Sequence, residues 1–158
     1  MFNLSLNTTL KLIILVSFFA LSSAYFIEYV LGHLPCTLCK IQRIPYIASL
    51  ILISLYFILN SKNKTIPILL ILIFIIGTGV SAYHVGIEQD FFNESFLCQL
   101  QNNTNATTPH ELLAQLKTNT ISCKNVPITF FGLSLATLNT LLSFLISVIL
   151  FKTIKFYE

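Results

Sequence analysis

The chain has 158 residues, of which 55% are hydrophobic and only 9% charged, with a formal net charge of +3. A soluble domain of this length has too little interior to hide so much apolar surface, because its exterior must carry many polar side chains. The scattered, small positive charge leaves no nucleic-acid footprint, and the length suits one domain.

Four apolar stretches follow in chain order, each near the roughly 20 residues that cross a bilayer as a helix. The first covers about 12–31 and is interrupted only by Glu28 near its far end. Ser22-Ser23-Ala24 also admits a cleaved signal peptide, but apolar sequence continues beyond it and cleavage would remove one wall of a bundle. The second stretch covers about 41–60, with Arg43 close to its start. The third, about 66–87, holds His84 near its end. A long polar connection, about 88–125, precedes the fourth stretch, about 126–151, which contains no charge. Continuous apolar runs without strict alternation favour helices in lipid. The expected fold is therefore all-α: an integral membrane four-helix bundle with a long outer loop. Within that loop Thr108-Pro109-His110-Glu111 reads as a capping box, and Leu112, Leu113 and Leu116 form an apolar stripe. Together they predict a short helix on the membrane surface.

Basic residues orient the spans. Lys11, Lys62, Lys64, Lys152 and Lys155 fall on one side, against Lys40, Arg43, Lys117 and Lys124 on the other. Lys40 and Arg43 sit where a helix begins beside reactive residues, and without them the bias is clear. Both termini are thus expected in the cytoplasm and the 88–125 loop outside.

That topology puts all four cysteines on one, oxidising side, where disulfides persist. Cys36 and Cys39 form Cys-Thr-Leu-Cys at the start of the second span, a spacing suited to an easily exchanged disulfide. A helix N-terminus there favours thiolate over thiol. In one unbroken helix, Cys36, Cys39 and Arg43 would share a face, so the cation would stabilise the thiolate or polarise a carbonyl oxygen. The plainer account of Arg43 alone is an interfacial side chain snorkelling to water. Pro35 and Pro45 frame this stretch and leave the helix start open. Cys98 and Cys123 bracket a polar tract in the loop, which suits either a structural staple or an exchanging disulfide. A four-cysteine zinc site is disfavoured, since zinc knuckles normally come in two tight pairs; no metal is expected.

His84 lies at a depth where an imidazole can donate to a quinone oxygen or relay a proton, and Glu88 follows on the same face. The alternative is a pair of polar residues facing headgroups. Gly77, Ser81, Ala82 and Gly86 repeat at helical spacing, as close helix packing requires. The place of Glu28, bundle or interface, stays open. His33 and His110 read as surface residues.

Three segments in order carry a resemblance: Pro35-Cys36-Thr37-Leu38-Cys39 with Arg43; Ala82-Tyr83-His84-Val85-Gly86-Ile87-Glu88; and Cys123 followed by Phe131-Gly132-Leu133-Ser134-Leu135-Ala136. Over nearly its whole length the chain resembles the DsbB family of bacterial disulfide-forming membrane proteins. The resemblance implies a relay in the inner membrane. A reduced, DsbA-like thioredoxin-fold partner attacks a Cys98–Cys123 disulfide through Cys98, and Cys123 then attacks Cys36. Cys39, freed as a thiolate, passes electrons to a quinone of the membrane pool, ubiquinone or menaquinone. Arg43 and His84, with Ile87 and Glu88 beside them, resemble the family's quinone-contacting positions. The residue before the arginine is the neutral Gln42, which puts an acid-assisted role there in doubt. The vitamin K epoxide reductase family runs similar chemistry, but its Cys-X-X-Cys follows the shuttle pair. A structural or zinc-binding membrane protein with non-catalytic cysteines is the alternative from another class.

Overall fold

The computed structural model describes residues 5–60, 64–93, 123, 129–130 and 132–156. In chain order the elements are α1 (Leu6–Tyr29), α2 (Thr37–Ile41), α3 (Ile44–Ile58), α4 (Thr65–Glu88), β1 (Thr129–Phe130), β2 (Leu133–Ser134) and α5 (Leu135–Phe156). Four spans, Leu6–Tyr29, Thr37–Ile58, Thr65–Glu88 and Leu135–Lys155, are long and apolar enough to cross a membrane. The expected all-α membrane bundle is the architecture observed.

Local chemistry sets the element ends. Ser5 caps α1, its hydroxyl accepting from the Thr8 amide at 3.3 Å. Beyond α1, Gly32 takes a φ of +71°, a left-handed turn that a side chain would strain. Pro45 lies in the first turn of α3 and has no N–H to offer the carbonyl one turn earlier, so the second span breaks at Gln42–Arg43. The fourth expected span is corrected at its start. Thr129–Phe130 and Leu133–Ser134 pair antiparallel around a turn that includes Gly132 at φ +79°, and the helix begins only at Leu135. Ser134 caps it, accepting from the Thr137 amide at 3.1 Å. The expected surface helix and Cys98 lie outside the described residues.

The core is a slender seam, because lipid rather than water receives the outer faces. Leu10, Ile53, Leu70, Phe74 and Leu150 are fully buried, while Phe18, Phe19, Ile51, Ile76 and Phe151 are exposed. Small polar groups join the helices across this seam. Ser17 and Ser49 bond at 2.8 Å between α1 and α3, and Thr9 and Thr153 at 3.3 Å between α1 and α5. Gly77 lets α4 approach α3: a Cβ there would stand 2.8 Å from Pro45 Cγ. Gly86 does the same for the chain leaving α4, which folds the Phe92 ring back over it. These are two of the small residues whose spacing forecast close packing. The up-down order puts the N-terminus of α2, the C-terminus of α4 and the N-terminus of α5 at one end of the bundle.

Candidate functional site

At that end the sulfur pair starts a helix. Cys36 is the N-cap of α2, and its Sγ accepts from the Cys39 amide at 3.2 Å. Cys36 and Cys39 are free thiols with Sγ atoms 2.7 Å apart. The hydrogen bond from Cys39 outweighs burial, and with help from His84 it holds the Cys36 thiol far below its ordinary 9.0, at about 4. Cys36 thus stands as the thiolate at neutral pH, just ahead of the span that begins at Thr37.

His84, on the last turn of α4, meets this pair from the side. Its Nε2 lies 3.7 Å from Cys36 Sγ and 3.7 Å from Glu88 Oε1, one turn further along. Cys123 completes the site: it is disulfide-bonded, 2% exposed, and makes a backbone hydrogen bond with the His84 ring. Cys36, Leu38, Ile87 and Cys123 form one buried cluster, with Cys39 and Tyr83 packed against it. Cys36, Cys39, His84, Ile87, Glu88 and Cys123 are therefore brought together from three separate parts of the chain.

Arg43 faces another way. Its guanidinium donates to Glu28 Oε2 at 2.5 Å and sits 4.8 Å over the Tyr25 ring, so it ties α3 to α1. The single face expected for Cys36, Cys39 and Arg43 needs an unbroken helix that includes Cys36. Instead Cys36 is a cap, and the break before Pro45 turns Gln42 toward His84 and Arg43 toward α1. Glu28, whose place the sequence left open, faces the bundle.

A polar chain behind His84 escaped the sequence reading. The Gln42 amide donates to His84 Nδ1 at 2.8 Å. Asn139 Nδ2 donates to Gln42 Oε1 at 3.1 Å and to Ser81 Oγ at 2.6 Å. Tyr46 donates to Asn139 Oδ1 at 2.5 Å and meets Ser143 Oγ at 3.2 Å. With Nδ1 accepting, the His84 proton sits on Nε2 and points at the thiolate. The signal was present: Asn139 and Gln42 are uncharged polar residues inside otherwise apolar spans, where such side chains seek partners across helices. The residues present fit a quinone, which needs donors for its carbonyl oxygens and an apolar seat. His84 Nε2–H and the Arg43 guanidinium are such donors, though Arg43 is tied to Glu28 and faces α1, and Leu34, Ile44 and Ile47 near Arg43 in sequence are exposed.

Comparison with known proteins places the chain among relatives. A protein of Xylella fastidiosa (strain Temecula1) named Disulfide bond formation protein B is 32% identical over 121 residues, 73% of this chain and 70% of its own. Its namesake in a second strain is 31% identical over the same length. An uncharacterized protein of Rickettsia prowazekii is 31% identical over 134 residues, 83% of this chain and 77% of that one. No solved structure matches. The model of the family "Disulfide bond formation protein DsbB" matches residues 7–153. The chain belongs to the DsbB family, as a multi-pass membrane disulfide oxidoreductase serving disulfide bond formation.

Proposed function

We propose that this protein reoxidises a thioredoxin-like dithiol partner outside the bacterial inner membrane and delivers the electrons to the membrane quinone pool. The observation that carries the proposal is Cys123, a loop cysteine buried against Cys36 and His84 at the bundle end. A shuttle must bring loop and membrane sulfurs together, and these residues lie in one cluster.

The cycle starts with both pairs oxidised. A partner thiolate attacks Cys98, forming a mixed disulfide and releasing Cys123 as a thiolate. Cys123 then attacks Cys36 of the Cys36–Cys39 disulfide, and Cys39 departs as a thiolate. The second partner thiol closes on the mixed disulfide, freeing the oxidised partner and the Cys98 thiolate. Cys98 then attacks Cys123, restores the Cys98–Cys123 disulfide and leaves Cys36 and Cys39 both reduced. When bound, the quinone supplies the two-electron acceptor, so each turnover converts one dithiol and one quinone into one disulfide and one quinol. His84 Nε2–H steadies the sulfur anion at Cys36, and the Arg43 guanidinium offers the donor for a quinone oxygen. Both termini lie in the cytoplasm in this scheme, and the 88–125 loop faces the periplasm.

The test is quinone reduction by purified protein in detergent, followed by ultraviolet absorbance, with a reduced thioredoxin-fold periplasmic protein as donor. Wild type turns over; Cys36→Ser and Cys39→Ser lose turnover, while Cys39→Ser still traps the partner as a mixed disulfide. Normal turnover by Cys39→Ser would remove Cys39 from the relay.

A further inference from the structure

We infer that the reduced site is a redox-gated binding site for a soft divalent cation of the zinc type, held by Cys36, Cys39 and His84. The inference deepens the reading above, resting on Cys36 and Cys39 being a reducible pair and on nothing about quinone. The sequence argument against zinc weighed only the four cysteines; the fold supplies a different donor set.

Three ligand atoms, Cys36 Sγ, Cys39 Sγ and His84 Nε2, lie within 4.8 Å of one another. Two thiolates and an imidazole are the donors zinc prefers, at about 2.3 Å for sulfur and about 2.0 Å for nitrogen. Tetrahedral angles then require S···N and S···S separations of roughly 3.5–3.8 Å. The Cys36–His84 contact, at 3.7 Å, already has that value. The sulfurs, 2.7 Å apart, must open by roughly 1 Å, which a side-chain rotation of Cys39 provides. Glu88 Oε1 lies 3.7 Å from His84 Nε2 but outside this group of three, so the fourth position is left to a solvent oxygen. Because Cys36 is already a thiolate, binding exchanges the single Cys39 S–H bond for a metal bond and releases one proton, with no electron transferred. Once the sulfurs are joined as a disulfide they are poor ligands, so the oxidised site lets the cation go.

The hydrogen-bond chain behind His84 accommodates this state. A metal on Nε2 moves the ring proton to Nδ1, which then needs an acceptor. Turning over the Gln42 amide presents Oε1 to Nδ1. Turning Asn139 with it lets Asn139 Oδ1 accept from Gln42 and Ser81, while its Nδ2 donates to Tyr46 and Tyr46 to Ser143. Every bond of the chain survives the reversal, because each amide carries a donor on one side and an acceptor on the other. The same residues thus hold His84 either as a proton donor to sulfur or as a ligand.

Cobalt(II) provides the optical probe. It is titrated into reduced, metal-free protein in detergent, beside a thiol count and the quinone assay on the same preparation. The expected result is one cobalt per chain, with thiolate charge-transfer and tetrahedral d–d bands that zinc(II) displaces. Cys36→Ser and Cys39→Ser lose the bands, as does quinone-oxidised or diamide-oxidised protein, whereas the double variant Cys98→Ala/Cys123→Ala keeps them. Gln42→Leu, which removes the acceptor for Nδ1, weakens binding about 10–100-fold. No bands from protein with titratable thiols, or bands that persist in folded Cys36→Ser/Cys39→Ser, overturn the site. Turnover without cobalt binding defeats the metal site alone; cobalt binding without turnover defeats the oxidase alone.

Discussion

A cysteine that caps a helix and accepts a hydrogen bond from its neighbour has its thiol drawn below the ordinary range. Cys36 does both, and the hydrogen bond from Cys39 outweighs the cost of burying the charge. Its alkylation rate by iodoacetamide, measured in reduced Cys98→Ala/Cys123→Ala protein, should stay level from pH 9 downward and fall only near about 4. An ordinary thiol would instead lose its rate on descending through its usual value of 9.0. The linkage has a definite sign. A group held below its ordinary value stabilises the folded, reduced protein fully above pH 9.0 and loses that contribution as pH falls toward about 4. A rate that halves near pH 8–9 would show that the cap and the Cys39 bond do not act on Cys36. The Cys-X-X-Cys spacing and the depth of His84 were legible in the sequence, and the structure brings them together. Gln42 and Asn139 were not, since their partnership depends on how two spans are rotated about their axes. Hydropathy of single spans does not fix rotation.

Among the elements, the tightest constraint is the approach of α4 to α3 at Gly77. An alanine methyl there meets the rigid Pro45 ring at 2.8 Å, and Pro45 is itself buried. Gly77→Ala should cost about 1–3 kcal/mol in detergent unfolding, as overpacking does. Gly79, on the same helix, has nothing within 4 Å of its would-be Cβ. Gly79→Ala should therefore be neutral or gain roughly 0.5–1 kcal/mol from helix propensity. Equal losses at both positions would mean that glycine serves flexibility here and not contact. Sequence alone placed the four spans well, because lipid demands long apolar runs and these are unmistakable. Two boundaries were not legible. The apolar residues 129–134 look helical by composition, yet Gly132 in a left-handed turn makes them a hairpin. Pro45 is compatible with a kink, a cap or a fresh start, and only packing against Gly77 and the turn of Gln42 toward His84 selected the break.

For the whole molecule, the up-down order of the four spans collects the described cysteines at one end and the start of α1 and the end of α5 at the other. The proposed orientation sets that cysteine end outside. Alkaline phosphatase, active only when exported, should be active when fused after Asn93 and inactive when fused after Phe156. The reverse pattern would invert the topology and place the thiols in a reducing compartment, against the proposed oxidase.

The polar chain from Ser143 through Tyr46, Asn139 and Gln42 to His84 draws on α2, α3, α4 and α5 together. Spans are made in sequence, and the last of them contributes the one residue, Asn139, that touches Gln42, Ser81 and Tyr46 at once. Until α5 has entered the bilayer, those three side chains face lipid without the partner they meet here. Completion of the bundle and completion of the redox site are thus a single event during biosynthesis. Before that, Gln42 can meet His84 but lacks the Asn139 amide that fixes which way its own amide points.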